Sequence, residues 1–419
     1  MNWQLARLIS NASPQRRKTY LQAGLVLNIG YLCTFKYLNF FIGSIPYFAH
    51  HHILAPELAF PLGISFFTLA QIMYLIDCYE QLMPPSSLFD HATFVSFFPY
   101  VISGPISRPK RIVHQFPALN GFAGPDADTV ARAMYLFSMG LVKKVVLADA
   151  FSKAADYGFA NISSLSTVEA WCFAISYVFQ IYFDFSGYSD MAIASALFFG
   201  IDVQHNFDAP LRTKSIIEFW QRWHISLTSF ITTYIYTPIL KSFSRVTLAR
   251  SAFATLLAMT IAGLWHGPNW TFVIFGAIHG LGLATNQYWR KKKMPKIPIL
   301  ASWLITFLVY LFSFVFFRAP DIHASLFYFS RMFSWHLSLS GGNLAATYKL
   351  LNGEGPMAAI LLIAQIAGIV AALAGKSTDQ LGRDFKPTML NYLTVSACAL
   401  FALFYLNSSV AKPFVYFRF

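Results

Sequence analysis

Charged residues are scarce in this sequence. Asp, Glu, Lys and Arg make up 12% of its 419 residues, whereas a soluble domain carries about a quarter. This scarcity excludes an ordinary water-exposed surface. Hydrophobic residues reach 56%, aromatic residues reach 17% with 43 Phe, and the mean hydropathy is +0.51. Abundant aromatic residues suit lipid-facing helices with aromatic belts. The composition therefore predicts an integral membrane protein.

Cysteine is also rare, and its placement excludes two classes of site. The four cysteines stand singly, with no pair at metal-ligand spacing and no disulfide framework. We interpret them as small buried hydrophobic residues: Cys33, Cys78, Cys172 and Cys398. The sequence also lacks a Gly-x-Ser-x-Gly elbow and a nucleotide-binding motif. It therefore predicts no serine nucleophile, no metal site and no bound cofactor.

Acidic residues are outnumbered by basic ones, 18 to 31, which gives a net charge of +13. Nucleic-acid binding is disfavoured, because no basic helix or aromatic RNA-binding motif accompanies the charge. The basic residues instead cluster in short loops, as the positive-inside rule predicts for cytoplasmic connections. Residues 1–20 are amphipathic and basic without an apolar core, so we expect no cleavable signal peptide. The clusters are Arg16–Lys18, Arg108 with Lys110 and Arg111, Lys143–Lys144, and Arg290–Lys293 with Lys296.

Apolar runs of the length that crosses a bilayer recur along the chain. We expect an all-α protein with about nine to eleven membrane segments in a single domain over 1–419. Some segments are too short or too broken to be simple spans, which implies a polar interior that covers irregular backbone. The clear candidates are Leu21–Gly43, Ala59–Ile76, Ser251–Trp265, Trp270–Asn286, Leu300–Phe317, Met357–Ala374 and Tyr392–Leu406, while Ala131–Ala150 and Val168–Gly200 are interrupted by charge.

Three further stretches are predicted to lie outside regular spans. Leu88–Arg111 is apolar but is cut by Gly104-Pro105, which predicts a re-entrant or interfacial helix that ends in a basic loop. His50–His52 is interpreted as a polar loop tip rather than a metal site, since adjacent side chains do not easily face one ion. Lys376–Pro387 is predicted to be a polar cytoplasmic loop.

Two carboxylates stand inside an apolar run. Asp184 and Asp190 are the only charged residues between Trp171 and Ile201. A carboxylate at membrane depth must be paired or hydrated, so it marks a functional site by default. A helix break at Gly187 would let both carboxylates turn inward. The alternative interpretation is structural: the carboxylates hydrogen-bond free backbone groups at a broken helix.

The next polar segment predicts a helix after Ser215, a candidate N-cap residue. Glu218 and Arg222 on that helix are four residues apart, which predicts an ion pair. His224 would then lie on another face of that helix from Glu218. A single histidine in that position is usually structural.

Two more histidines lie in the third polar region. His266 ends an apolar run and is followed by Gly267-Pro268, so its helix must stop or kink there. His279 lies inside the next apolar helix. Neutral imidazole is less costly to bury than a carboxylate, and it titrates close enough to pH 7 to act as a general base. The residues alone leave an enzyme that deprotonates a hydroxyl and a transporter equally open.

Several ordered motifs resemble the membrane-bound O-acyltransferase family, in the bacterial branch of alginate O-acetylases and D-alanyl-lipoteichoic acid transferases. The similarity runs from about Leu21 to the C-terminus. Family members commonly begin with one or two further hydrophobic segments, and they often carry Arg-Asp-Tyr where this chain has Thr232-Thr233-Tyr234. The motifs are SGPISR (Ser103–Arg108), YFDFSGYSDMAIA (Tyr182–Ala194), HNFDAPL (His205–Leu211), IIEFWQRWHISL (Ile216–Leu227), WHGPNWTFVIFGAIHG (Trp265–Gly280) and FRAPD (Phe317–Asp321).

The resemblance implies a ring of helices around a central tunnel, with a catalytic core over residues 171–290. It places the family's invariant histidine at His266, as the general base that takes the acceptor proton, and its second active-site position at His224. Other motif residues would line the tunnel or bind substrate: Asp184, Ser186, Tyr188, Asp190, Asn206, Glu218, Trp223, Trp265, Asn269 and, as a weaker candidate, His279.

The implied activity is transfer of an acetyl group from a cytoplasmic thioester to hydroxyls of an exopolysaccharide such as alginate. Acetyl-CoA or an acyl-carrier thioester would be the donor. The expected partners are the envelope polysaccharide acceptor, an extracytoplasmic acyltransferase protein and an acyl carrier protein, with the chain in the bacterial cytoplasmic membrane. The alternatives are D-alanyl transfer to teichoic acid from a carrier protein, or a proton-coupled transporter that uses Asp184 and Asp190. No inverted repeat supports the transporter.

Overall fold

The computed structural model describes residues 1–419 except 52–54, 56–57, 60, 120, 122, 336–352, 354, 409–413 and 415–419. The described part of the chain consists of helices and loops without a β-strand, which confirms the all-α prediction. The chain divides into two compact units: residues 1–133 with 192–204, and residues 134–191 with 205–419. The single-domain organisation over 1–419 stays a prediction.

The first unit packs its amphipathic N-terminal helix against two longer apolar helices. Ala6 and Ile9 of the first helix are fully buried with Tyr74 and Cys78 of the fifth. Arg17 Nη2 donates to the Tyr79 carbonyl at 2.6 Å, which fixes a basic side chain at the end of that helix. The helices are α1 Asn2–Asn11, α2 Pro14–Leu32, α3 Leu38–Gly43, α4 Pro46–His50, α5 Ile64–Tyr79, α6 Leu88–Ser96, α7 Phe98–Val101 and α8 Pro109–Val113.

The stretch that Gly104-Pro105 interrupts forms three short helices instead of the one helix that the sequence predicts, and Lys110 and Arg111 lie on α8 instead of in a basic loop. α6 has nine residues, and the Ser87 side chain caps it by accepting from Asp90 N. A Cβ on Gly104 would lie 2.5 Å from the Tyr100 Cα, so the chain folds back on itself closely at this break. His50 and His51 are exposed, whereas His52 lies outside the described residues.

The second unit contains the predicted core region 171–290 except residues 192–204, which belong to the first unit. The helices are α9 Ala127–Leu141, α10 Asp149–Ala160, α11 Thr167–Leu197, α12 Ile216–Arg222, α13 Ile225–Phe230, α14 Thr237–Lys241, α15 Leu248–His266, α16 Trp270–Lys291, α17 Ile299–Arg318, α18 Ile322–Met332, α19 Pro356–Ala374, α20 Thr378–Arg383 and α21 Met389–Ser408. α9 begins in the first unit and α11 ends in the first unit. The predicted polar loop Lys376–Pro387 therefore contains a helix, α20. Ser377 and Gln380 form a capping box at its start.

Four helices of the described chain are long and apolar enough to cross a membrane, and two shorter apolar helices accompany them. π-helical turns occur at Cys33–Tyr37, which lies within one of those four spans, and at Val142–Ala148 and Ile231–Tyr236. Such turns often mark functional positions. The structure thus contains the broken segments that the sequence predicts, while the count of nine to eleven stays a prediction.

α15 and α16 form a hairpin with very close backbone contact. A Cβ on Gly263 would lie 2.3 Å from the Phe272 carbonyl oxygen, and one on Gly276 would lie 2.3 Å from the Met259 carbonyl oxygen. Small residues let membrane helices approach in this way. The close contact between α15 and α16 holds the turn that joins them, and His266 lies directly before that turn.

Candidate active site

His224 occupies a break between two helices. α12 ends at Arg222, Trp223 is extended, and His224 has the left-handed conformation φ 44°, ψ 52° before α13 begins. The expectation of one continuous helix that carries Glu218, Arg222 and His224 was therefore wrong. A non-glycine residue adopts this conformation only where its surroundings enforce it, and such residues cluster at functional sites.

Asn206 supplies part of that enforcement. Its Oδ1 accepts from Ser226 Oγ at 2.6 Å and from Ser226 N at 3.2 Å, and its backbone oxygen accepts from Ile225 N at 3.0 Å. Its Nδ2 donates to Ser189 Oγ of α11 at 3.2 Å. The predicted substrate-binding residue Asn206 is thus a buried clamp on the two residues that follow His224.

His266 is the last residue of α15, which confirms that the helix stops at the Gly-Pro pair. Gly267 is extended, and a Cβ on it would lie 2.2 Å from the Phe272 ring. Asn269 caps α16 by accepting from Thr271 N at 3.0 Å, and its Nδ2 donates to the Pro320 carbonyl at 2.6 Å. The Asn269 amide therefore holds the turn after His266.

His224 and His266 lie side by side in an aromatic setting. Their ring centroids are 6.5 Å apart, and the side chains are 1% and 5% exposed. Phe185 of α11 meets the His224 ring edge-on at 4.5 Å, while Phe275 and Phe317 stand 5.8 Å and 5.3 Å from His266. Two imidazoles that are this close and this little exposed can exchange a proton with a bound hydroxyl while excluding bulk water.

His279 is held by contacts on both ring nitrogens. Trp220 Nε1 donates to its Nδ1 at 3.2 Å, which places the proton on Nε2, and Nε2 donates to Ser313 Oγ at 2.8 Å. The residue is fully buried. Because the protein occupies both nitrogens, this arrangement favours a structural role over substrate binding.

The two intramembrane carboxylates form ion pairs with adjacent lysines. Lys144 Nζ lies 2.6 Å from Asp184 Oδ1, and Lys143 Nζ lies 2.7 Å from Asp190 Oδ2. Thr378 of α20 donates to the same Asp190 oxygen at 2.7 Å. The attraction within each pair offsets the desolvation free energy of burying the two charges.

The carboxylates face the lysines without a helix break. The predicted break at Gly187 was wrong, because α11 runs unbroken from Thr167 to Leu197. The π-helix Val142–Ala148 instead carries the lysines to the aspartates, so their assignment to a short loop was also wrong. The charge that interrupts the apolar run 131–150 is the signal from which the sequence could have identified them as partners of the aspartates.

Three further predicted site residues are buried. Trp265 stands 5.1 Å from the His266 ring. Trp223 packs on Phe219, with ring centroids 5.4 Å apart. Ser186 is fully buried on α11.

Two predicted residues have partners away from the histidine pair. Tyr188 stacks on Phe414 at 4.5 Å. Glu218 pairs with Arg222 at 3.2 Å, as the i,i+4 spacing predicted, and also accepts from Lys214 N at 2.9 Å. Phe185, which touches His224, is a site residue that the sequence prediction did not include.

A cavity of about 210 Å³ lies between α12, the π-helix Ile231–Tyr236, α15 and α16. Trp220, Thr228, Thr232 and Gln287 are among its lining residues. Thr228 N donates to the His224 carbonyl at 3.0 Å, so this wall is continuous with the His224 turn. No group of three His, Cys, Asp or Glu side chains suited to a metal ion occurs among the described residues.

Comparison with known proteins gives a consistent result. Residues 17–328 match the sequence model of MBOAT, membrane-bound O-acyltransferase family. A peptidoglycan O-acetyltransferase of Helicobacter pylori is 34% identical over 462 residues, covering 100% of this chain and 86% of the relative. A "probable alginate O-acetylase" of Pseudomonas aeruginosa is 33% identical, covering 96% and 85%. A teichoic acid D-alanyltransferase of Streptococcus thermophilus is 30% identical, covering 55% and 58%.

Proposed function

The chain belongs to the membrane-bound O-acyltransferase family, and from that premise we propose that it moves an acetyl group from a cytoplasmic thioester to hydroxyls of an envelope polysaccharide. The chain is a membrane O-acyltransferase; the acetyl group, the donor, the acceptor and the direction are the proposal. The observation that carries it is the buried pair of His224 and His266, with rings 6.5 Å apart.

In the proposed reaction, His266 is the general base. Its imidazole takes the proton of an acceptor hydroxyl while the hydroxyl oxygen attacks the thioester carbonyl carbon. The new carbon–oxygen bond forms, the carbon–sulfur bond breaks, and the leaving thiolate receives the proton that His266 accepted. The products are an ester on the acceptor and a free thiol.

His224 is proposed to orient one substrate or to share the transferred proton. The Asn206 clamp fixes the backbone on one side of its left-handed turn, and Phe185 fixes its ring edge-on. An orienting group must be held this firmly, because a displacement of about 1 Å can reduce the rate 100-fold.

The donor is proposed to be acetyl-CoA or an acyl-carrier thioester. The thioester arm is assigned in this proposal to the cavity of about 210 Å³ beside the His224 turn, since Thr228, Thr232 and Gln287 offer hydrogen-bonding groups within an apolar wall. The positive-inside rule supports cytoplasmic entry through the basic loops.

The acceptor is proposed to be a polysaccharide of the cell envelope, such as alginate or peptidoglycan, in a bacterial cytoplasmic membrane. The names of the two relatives that cover most of this chain support acetyl transfer to such a polymer. An extracytoplasmic acyltransferase partner, which takes the acetyl group on its way to the polymer or works beside this chain, is part of the proposal. The D-alanyltransferase relative keeps D-alanyl transfer to teichoic acid from a carrier protein as a second candidate.

The test is to replace His266 and His224 separately by Ala and to measure the acetyl and D-alanyl content of the host's envelope polymers. Loss of a general base lowers the rate about 10²–10⁴-fold, so polymer acylation should disappear at equal protein level. His323→Ala, an exposed histidine on α18, is the matched control and should retain activity. Unchanged acylation in His266→Ala would refute the mechanism, and lost D-alanine with unchanged acetate would establish the second candidate.

A further inference from the structure

A second and larger cavity, of about 860 Å³, opens where α16 ends and α17 begins. We name it the α16–α17 groove and define it by its basic rim, Lys214, Arg290, Lys293 and Lys296, and by its apolar wall, which includes Ile216, Ile305 and Val309. The α16 residues that line the groove run from Gly282 to Arg290, about 18–30 Å along that helix from Trp270, where the helix begins after the His266 turn. It is therefore separate from the histidine pair.

The positive charge of the rim is not neutralised by an acidic residue of the groove. All four basic residues line the cavity, and no lining residue is acidic. Lys214, Arg290, Lys293 and Lys296 are exposed, and none forms an ion pair with another described residue. The nearest carboxylate along the chain, Glu218, is paired with Arg222. The groove therefore attracts an anion at this end.

The body of the groove is apolar and faces outward. Ile299 and Ile305 of α17 are 67% and 50% exposed, on a helix that is apolar enough to cross a membrane. From Ile299 to Val309 the helix rises about 15 Å, which is half of the roughly 30 Å hydrocarbon core. The groove thus extends from headgroup level towards the middle of the bilayer.

The junction between the two parts is rigid and polar. Trp289 Nε1 donates to the Pro295 carbonyl at 3.0 Å, which holds the turn between α16 and α17. Ser302 Oγ donates to the Ile297 carbonyl at 3.3 Å and lines the same cavity. An indole ring beside basic residues at the end of a membrane helix is typical of the interface between headgroups and acyl chains.

We propose that the α16–α17 groove binds an anionic diacyl phospholipid, with its phosphate on the four-residue basic rim and an acyl chain along the apolar wall of α17. Basic pockets between membrane helices recognise anionic headgroups in this way. A free phosphate would use only the rim, whereas the groove continues into an exposed apolar wall. The positive-inside rule assigns the ligand to the cytoplasmic leaflet.

The test uses the full chain in detergent and native mass spectrometry with phosphatidylglycerol or phosphatidylcholine as the probe. The variant Lys214→Gln/Arg290→Gln should reduce retention of phosphatidylglycerol at least about tenfold, since each basic residue near the surface contributes to binding. Lys241→Gln/Arg245→Gln, which removes the same charge from exposed residues outside the groove, should retain binding. Equal loss in both variants would overturn the proposal.

A second variant tests the apolar part without changing charge. Gly282 lines the groove, and a Cβ there would make ordinary contact with Ile216 at 3.4 Å, so Gly282→Leu places a side chain in the groove. This variant should also reduce phosphatidylglycerol retention. Displacement of the lipid by inorganic phosphate at equal concentration, or equal retention of phosphatidylcholine, would overturn the assignment to an anionic lipid.

Discussion

Gly140 of α9 and Gly187 of α11 are in backbone contact. A Cβ on either glycine would lie 2.6 Å from the carbonyl oxygen of the other. A Cβ on Gly187 would also lie 3.0 Å from Lys144 N. This close approach brings the lysines of the π-helix to the aspartates of α11. The two buried ion pairs therefore depend on the absence of a side chain at both glycines.

Gly187→Ala is expected to destabilise the protein, although alanine is the better helix former by about 1 kcal/mol. The added methyl group meets backbone, which cannot move aside, so α9 and α11 must separate. Thermal unfolding of the detergent-solubilised protein measures the effect. Gly30→Ala is the matched control, because nothing lies within 4 Å of its Cβ position in α2. Equal melting temperatures for both variants would contradict the contact.

Asp190→Asn is expected to destabilise the protein by about 3 kcal/mol or more, because it leaves the Lys143 charge buried without its counter-ion. Lys143→Met/Asp190→Leu should recover most of that loss by removing both charges. Both variants should keep acyl transfer per folded molecule, since the pair does not touch the histidine rings. If the double variant is as unstable as the single one, the ion pair is not the cause.

Asn206→Ala is expected to lower kcat about 10–100-fold, because the turn at His224 loses the bonds from Ser226 to the amide oxygen. The Michaelis constant should change little, since Asn206 is buried beneath the turn. Ser226→Ala should be milder, because its backbone N–H still reaches Asn206. Steady-state acyl transfer per folded molecule measures both. A rise in the Michaelis constant alone would instead indicate substrate binding by Asn206.

Gly267→Ala is expected to abolish most activity, because the methyl group would overlap the Phe272 ring and shift the turn beside His266. Backbone conformation is not the reason, since Gly267 is extended. Gly267→Ala/Phe272→Leu should restore part of the acyl transfer by clearing the space. Recovery of activity in the double variant is the decisive measurement; no recovery would mean that the glycine is needed for another reason.

Local patterns were readable from the sequence because their partners lie within a turn or two of helix. The Glu218–Arg222 pair, the helix stop after His266 and the interruption at Gly104-Pro105 were predicted from spacing and from the backbone limits of glycine and proline. The break before His224 was missed. Asn206 is eighteen residues earlier and forms bonds that outweigh the local preference for helix.

The sequence by itself determined the membrane class and the family, and it marked His224 and His266 as candidate site residues, because hydropathy and ordered motifs depend only on residue type and order. Tertiary structure decided that Lys143 pairs with Asp190 and Lys144 with Asp184. It also decided that both ring nitrogens of His279 are hydrogen-bonded and that the rings of His224 and His266 lie 6.5 Å apart. These contacts join residues about 35–60 positions apart. They follow from how helices pack, which period and propensity along one helix do not specify.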